Sequence, residues 1–142
     1  MKDGFVRVGA AAPRVRVADC AFNAKKITEA MSSAWELVIK LLVFPELSVT
    51  GYTCGDLFGQ SALRKEAENA LGDIVKASVG HDAVIAVGLP VADRGRLYNC
   101  AAVLQNGRLL GLVPKENLPN YGVFCESRRF SRAFSGMREI KL

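Results

Sequence analysis

Two charged residues each follow directly on a proline that closes an apolar run: Glu46 stands behind "LLVFP" and Lys115 behind "RLLGLVP". Their chemistry is complementary. A carboxylate can take the proton of an attacking nucleophile, and a fixed ammonium can stabilise the negative charge that grows on a carbonyl oxygen. Gly51, Tyr52, Cys54 and Gly55 follow Glu46, while Tyr121, Cys125 and Glu126 follow Lys115. Read one at a time, the same residues have ordinary roles. An acid or a lysine just past a strand is commonly solvent-facing, the tyrosines can pack loops, and Glu126 can pair with Arg128 or Arg129 on the surface.

Cysteine spacing narrows the options. Cys20, Cys54, Cys100 and Cys125 are far apart, with no pair at the two-residue spacing of a metal knuckle or a redox motif. Zinc chemistry is therefore not expected. Cys100, inside "LYNCAAVL", reads as a small buried hydrophobe. His81, after Gly80 at a helix end, reads as a surface residue.

For Glu46 and Lys115 to share a site, strands must bring them together. "FVRVGAAAP" is nearly continuous in small and apolar residues, the pattern of a strand covered on both faces. Asp19 then opens a helical pattern in which Ile27, Ala30, Met31, Ala34 and Val38 recur at three- and four-residue steps. "LLVF" reads as a second buried strand, so the three elements form a parallel unit with a right-handed crossover. Ligand sites in such sheets gather at the carboxyl ends of strands, where Glu46 falls. A second helix is expected from Ser61 to Val79, with Leu63, Ala67, Ala70, Leu71 and Ile74 on one stripe and Gly80 at its end. "AVIAVGLP" continues as a strand. "LYNCAAVL" and "RLLGLV" form a hairpin around Asn106-Gly107, a pair that tolerates the positive φ of a tight turn.

Composition bounds the class. The chain has 142 residues, half of them hydrophobic, enough for one domain with a core. Asp3, Arg7, Arg14 and Arg16 interrupt the N-terminal stretch, which therefore lacks the apolar segment of a secretory signal. No apolar run approaches the ~20 residues of a spanning helix. A cytoplasmic protein with no membrane partner is expected. The net charge of +5 is concentrated in residues 127–142, where Arg128, Arg129, Arg132, Arg138 and Lys141 face only Glu139. With two aromatics nearby, Phe130 and Phe134, this reads as a solvated end or a segment separated from acidic partners, and nucleic acid is not an expected ligand.

Together, "LLVFPELSVTGYTCGDLF" and "GLVPKENLPNYGVFCESRRF" resemble the nitrilase, or carbon–nitrogen hydrolase, superfamily. Within it, "TGYTCGDLF" and "LPNY" are most similar to the N-terminal glutaminase domains of glutamine-dependent NAD synthetases. The resemblance runs from about Phe5 to about Phe130. It implies an α/β fold, the N-terminal part of an α-β-β-α sandwich, and a Glu–Lys–Cys triad. By resemblance, Glu46 is the general base and Lys115 the oxyanion stabiliser. Glu126 matches a second glutamate that orients the lysine and the substrate amide, and Tyr52 and Tyr121 line the glutamine pocket.

The nucleophilic cysteine of that family follows the second glutamate on a later strand end, and none of the four cysteines matches its position. Cys54 belongs to a loop whose cysteine the family does not use as nucleophile, and Cys125 merely precedes Glu126. Residues 1–142 are thus expected to be a partial glutaminase domain, its C-terminal part missing, inactive by itself. No phosphate-binding glycine motif is present, so no cofactor is expected on this chain; ATP and the NAD precursor would bind the absent synthetase domain. The expected partners are glutamine and either the missing C-terminal part or a second copy in a homo-oligomer. Two alternatives stand beside this: a split or decayed fragment acting by association, and another superfamily amidase. Two structural expectations follow. One face of the sheet should lie open and apolar. At the end of the first helix, relatives carry Gly-Ala where this chain has Val38-Ile39, so the cap is expected to take a form other than the left-handed one, at a cost on the order of 1 kcal/mol.

Overall fold

A computed structural model describes residues 4–142; Asp3, part of the charge reading of the N-terminus, lies outside the described residues. Five strands form one sheet in sequence order: β1 (Val8–Ala10), β2 (Leu41–Val43), β3 (Val84–Asp93), β4 (Arg96–Gln105) and β5 (Arg108–Pro114). The first three run parallel, and β3, β4 and β5 are antiparallel neighbours. Helix α1 (Cys20–Glu36) joins β1 to β2, and α2 (Ser61–Ala77) joins β2 to β3. The two antiparallel connections turn on Arg94-Gly95 and Asn106-Gly107, all four residues at positive φ.

The core lies between the helices and one face of the sheet. Ile27 and Met31 of α1 and Leu63, Ala67 and Ile74 of α2 are buried with Leu42, Ile85, Val87, Leu89, Ala102 and Leu104 of the strands. The helix stripes are those the sequence predicts, except that Val38 lies past the end of α1 and is 60% exposed. Asp19 caps α1 by accepting a hydrogen bond from the Phe22 amide at 3.0 Å. Helix α2 ends at Ala77, two residues short of the expected Val79, where the Ser78 hydroxyl donates to the Val75 carbonyl.

The opposite face is open. Val8, Leu41, Val43 and Val113 point away from the helices and are 63, 38, 43 and 60% exposed. The expectation that "FVRVGAAAP" is covered on both faces is therefore wrong: β1 is a three-residue edge strand covered by helices on one side only. His81, read as a surface residue, is half-buried. Its ring stacks flat on Trp35, centroids 3.3 Å apart, and joins the end of α1 to the approach to β3. The basic end is not simply solvated: Arg138 reaches Asp93 at 2.7 Å and lies 3.4 Å above the Phe134 ring, while Arg129 pairs with Asp56 at 3.0 Å.

The end of α1 contradicts its expected form. Val38 takes the left-handed conformation, φ +58°, that a β-branched residue resists. Its amide donates to the Trp35 carbonyl at 2.9 Å and the Ile39 amide to that of Ala34 at 3.0 Å, the paired bonds of a Schellman cap. Two satisfied carbonyls hold the strained residue in place.

Gly88 decides how the segment after β2 runs. A Cβ on Gly88 would stand 2.2 Å from the Leu47 nitrogen and 2.8 Å from the Glu46 carbonyl carbon. Its amide donates to the Ser48 hydroxyl at 3.3 Å, and its carbonyl accepts from the Val49 amide at 3.0 Å. The chain after Glu46 thus lies directly on β3.

Val38→Gly should raise stability by about 0.5–1 kcal/mol, because the relieved strain exceeds the added chain entropy of glycine and little packing is lost; urea denaturation will read it. Gly88→Ala should lower stability by about 1–3 kcal/mol and move the amide resonances of Leu47 and Ser48, since backbone must yield to the new methyl group.

Candidate active site

Three chain segments deliver the charged residues. Glu46 leaves β2 through Pro45, and the following turn is tied down on two sides: to Gly88 of β3, and to the β1–α1 connection, where the Ala18 amide donates to the Thr50 carbonyl at 2.8 Å. Buried Asn23 adds a bond from its Nδ2 to the Val49 carbonyl at 3.0 Å. Leu47 pays a local strain here, with φ +51°. Lys115 leaves β5 through Pro114, its amide donating to the Asn99 carbonyl of β4 at 2.8 Å. Glu126 opens a short 3₁₀ turn, Glu126–Arg128, closed by the Phe130 amide donating back to the Glu126 carbonyl at 2.8 Å. Phe130 anchors that turn in the core against Phe58, ring centroids 5.1 Å apart.

The three side chains meet. Lys115 Nζ donates to Glu46 Oε1 at 2.8 Å and to Glu126 Oε1 at 3.0 Å. The Tyr52 hydroxyl donates to the same Glu126 oxygen at 2.7 Å. Glu126 is therefore no surface partner of Arg128 or Arg129; its side chain is 4% exposed, and its Oε2 is buried without a hydrogen-bond partner among the described residues. Glu46 and Lys115 remain reachable, at 39 and 28%. Asn99 of β4 completes the group through a hydrogen bond from Nδ2 to Glu46 Oε1. Beside Glu46, Asn99 and Lys115, the open sheet face forms an apolar depression of about 320 Å³ floored by Val43, Ala86, Ala101 and Val113.

The charges sustain one another. Burial alone would push Glu46 up, but the hydrogen bonds from Lys115 and Asn99 and the lysine's charge outweigh it and hold the carboxyl below its ordinary range. Burial likewise works against the charge on Lys115, and the two glutamates prevail, holding the ammonium above the ordinary lysine range. Burial, then the bond to Glu126, keeps Tyr52 protonated well beyond the usual phenol range. The group can accept a proton at Glu46 and present a permanent positive charge at Lys115.

Tyr121 does not join. It is 71% exposed, with Phe124 lying edge-on to both Tyr121 and Tyr52. Among the cysteines, burial pushes the Cys20 and Cys100 thiols up to about 11 and about 12 and raises Cys54, so all three stay protonated near neutrality. Cys125 is exposed and borders the cleft of Tyr52 and Glu126, with no hydrogen bond to Glu46, Lys115 or Glu126. The sequence reading passed over Asn99 and Gly88. Each had a signal: an amide inside the apolar run "LYNCAAVL" must find a buried partner, and a glycine inside the strand "AVIAVGLP" marks a close backbone approach.

No described helix is long and apolar enough to cross a membrane. The carbon-nitrogen hydrolase family profile matches residues 6–139. The glutamine-dependent NAD(+) synthetase of Mycobacterium tuberculosis is 38% identical over 128 residues, which are 90% of this chain and 19% of that protein. The crystal structure of a glutamine-dependent NAD(+) synthetase from Cytophaga hutchinsonii superposes with a TM-score of 0.87 at 32% identity, covering 93% of this chain and 22% of that one. The corresponding enzyme from Acinetobacter baumannii gives a TM-score of 0.79 at 32% identity, over 94% and 25% of the two chains. The chain thus spans 19% of the length of the first curated relatives it matches. With a family match that takes in nearly every described residue, β2 to Glu126 included, the chain belongs to the carbon-nitrogen hydrolase family.

Proposed function

We propose that this chain supplies the base, the cation and the second acid of an amide-hydrolysing site whose thiol nucleophile comes from polypeptide outside these 142 residues, and that the amide is that of glutamine. The observation that supports it most is one ammonium shared by Glu46 and Glu126 at the rim of an apolar depression. In this reading the thiol gives its proton to Glu46 as its sulfur bonds to the amide carbon. The carbonyl oxygen, momentarily an oxyanion, is met by Lys115. The C–N bond then breaks, and the nitrogen takes the proton from Glu46 and leaves as ammonia. Water hydrolyses the thioester, restoring the thiol and releasing glutamate.

The partnerless Oε2 of Glu126 has a place in the same scheme. A buried carboxylate oxygen without a donor is costly, and a substrate amide N–H would satisfy it. Tyr52 holds Glu126 for that purpose, and Tyr121 stands at the outer wall of the glutamine pocket. The glutamine dependence of the relatives supports this substrate, and the ammonia would feed NAD synthesis in a synthetase domain that also binds ATP and the NAD precursor. Residues 1–142 are in this reading the first part of a glutaminase domain, and the open face of the sheet is the surface through which they associate with the rest of it.

The test is complementation. Mixed with the portion of a glutamine-dependent NAD synthetase that lies beyond the matching segment, the chain should release ammonia from glutamine, where neither part does so alone. Glu46→Gln and Lys115→Met should each lower that turnover by about 100-fold or more. Complemented turnover indifferent to both substitutions would overturn the proposal.

The pH profile provides a separate check. Because Glu46 is held below its ordinary range, its base form persists through neutrality, and the acid limb of turnover should fall below the ordinary glutamate value of about 4.3. The stability that Glu46 adds should follow the same sign: complete above that value, and lost as pH falls through the lowered one.

A further inference from the structure

Glu46 and Lys115 are brought together by a third residue that carries no charge. Asn99 lies in β4, 3% exposed, between Tyr98 and Cys100. Its side chain and main chain work in different directions. The carboxamide Nδ2 donates to Glu46 Oε1, and the main-chain carbonyl accepts from the Lys115 amide at 2.8 Å. On the other side of β4 its strand partner is Pro90, which has no N–H to offer.

We propose that Asn99 is a positioning residue that fixes the base and the cation at once, and that by occupying Glu46 Oε1 together with Lys115 it leaves Oε2 as the oxygen that takes the proton. The hydrogen-bond inventory carries the atom assignment. Oε1 receives two donors, Asn99 Nδ2 and Lys115 Nζ, while Oε2 receives none among the described residues. The amide orientation has a chemical reason: rotated by half a turn, Asn99 would set its carbonyl oxygen against the carboxylate. Packing gives no cause for an amide here, because Ala101, the next side chain of β4 on the same face, shows that a small apolar group fits beside this depression. Donation from Asn99 also favours the ionised form of Glu46, the form a base requires.

The role rests on the reading of Glu46 as a base, yet it can be tested without turnover. Carboxyl-detected NMR titration of the 142-residue chain, with Glu46 assigned by its loss in Glu46→Gln, will report the midpoint of that group. Asn99→Leu should raise the midpoint by about half a pH unit or more. Hydrogen exchange at the Lys115 amide should stay slow, because its acceptor is main chain. Asn99→Asp, nearly the same size, should raise the midpoint as well by replacing a donor with a second acid, and it keeps the test available if Asn99→Leu does not fold. A residue that merely filled space would lower the unfolding midpoint and leave the Glu46 titration where it was. An unchanged Glu46 midpoint in the folded variants overturns the proposal, even if the complemented chain releases ammonia; a raised midpoint upholds it, even if glutamine proves to be the wrong amide.

Discussion

One ammonium held between two carboxylates is the interaction on which the rest depends. Glu46 and Glu126 come from segments 80 residues apart (126 minus 46), and like charges so close would repel unless a cation stood between them. Lys115 is that cation, and it answers both acids with one group. Its worth is greatest toward Glu126, whose side chain is nearly sealed from water, since a buried carboxylate without a counter-charge is among the most expensive features a protein can carry. The Tyr52 hydroxyl adds a neutral donor to the same oxygen, so Glu126 is held by charge from a near segment and by hydrogen bond from a distant one.

Such an arrangement requires the backbone to be exact before the side chains arrive. Two strand ends and one turn supply it. The β2 end is pressed onto Gly88 and braced by Asn23 and Ala18; the β5 end is stitched to β4 at Asn99; the Glu126 turn is pinned by Phe130 in the core. The fixed points are mostly main-chain hydrogen bonds, which resist rearrangement better than long side chains do. The positive φ of Leu47 sits between two such ties, which is how an unfavourable conformation persists next to the Glu46 carboxylate.

What the sequence disclosed follows the range of the forces involved. Helix stripes, the Asp19 cap and the Asn106-Gly107 turn are local matters of spacing and backbone preference, and they were legible. The positions of Glu46, Lys115, Glu126 and Tyr52 were legible through extended motifs. Contacts set by distant packing were not: the stacking of His81 on Trp35, the burial of Glu126, and Arg138 reaching Asp93 each join segments whose proximity no local pattern announces. Val38 shows the opposite failure. Its side chain argued soundly against a left-handed cap, but two hydrogen bonds and a helix that must stop there outweighed a cost of about 1–2 kcal/mol. Tyr121, placed in the pocket by motif, stands largely exposed beside Phe124.

The location of the charged group on the open side of the sheet ties stability to chemistry. Alternation along β4 and β5 sends Cys100, Ala102 and Leu104 toward the helices and Asn99, Ala101 and Val113 to the other face. Glu46 and Lys115 stand at the edge of that second face, partly wet, where solvent screens the attraction between them. Any surface that packs over Val43, Ala86, Ala101 and Val113 must also close over Lys115 and Glu46, because all of them border one depression. Covering the apolar face removes hydrocarbon from water and, in the same step, lowers the dielectric around the one ammonium that both carboxylates share. Burial of this face and drying of the charged group are therefore linked, driven by apolar area and felt as electrostatics.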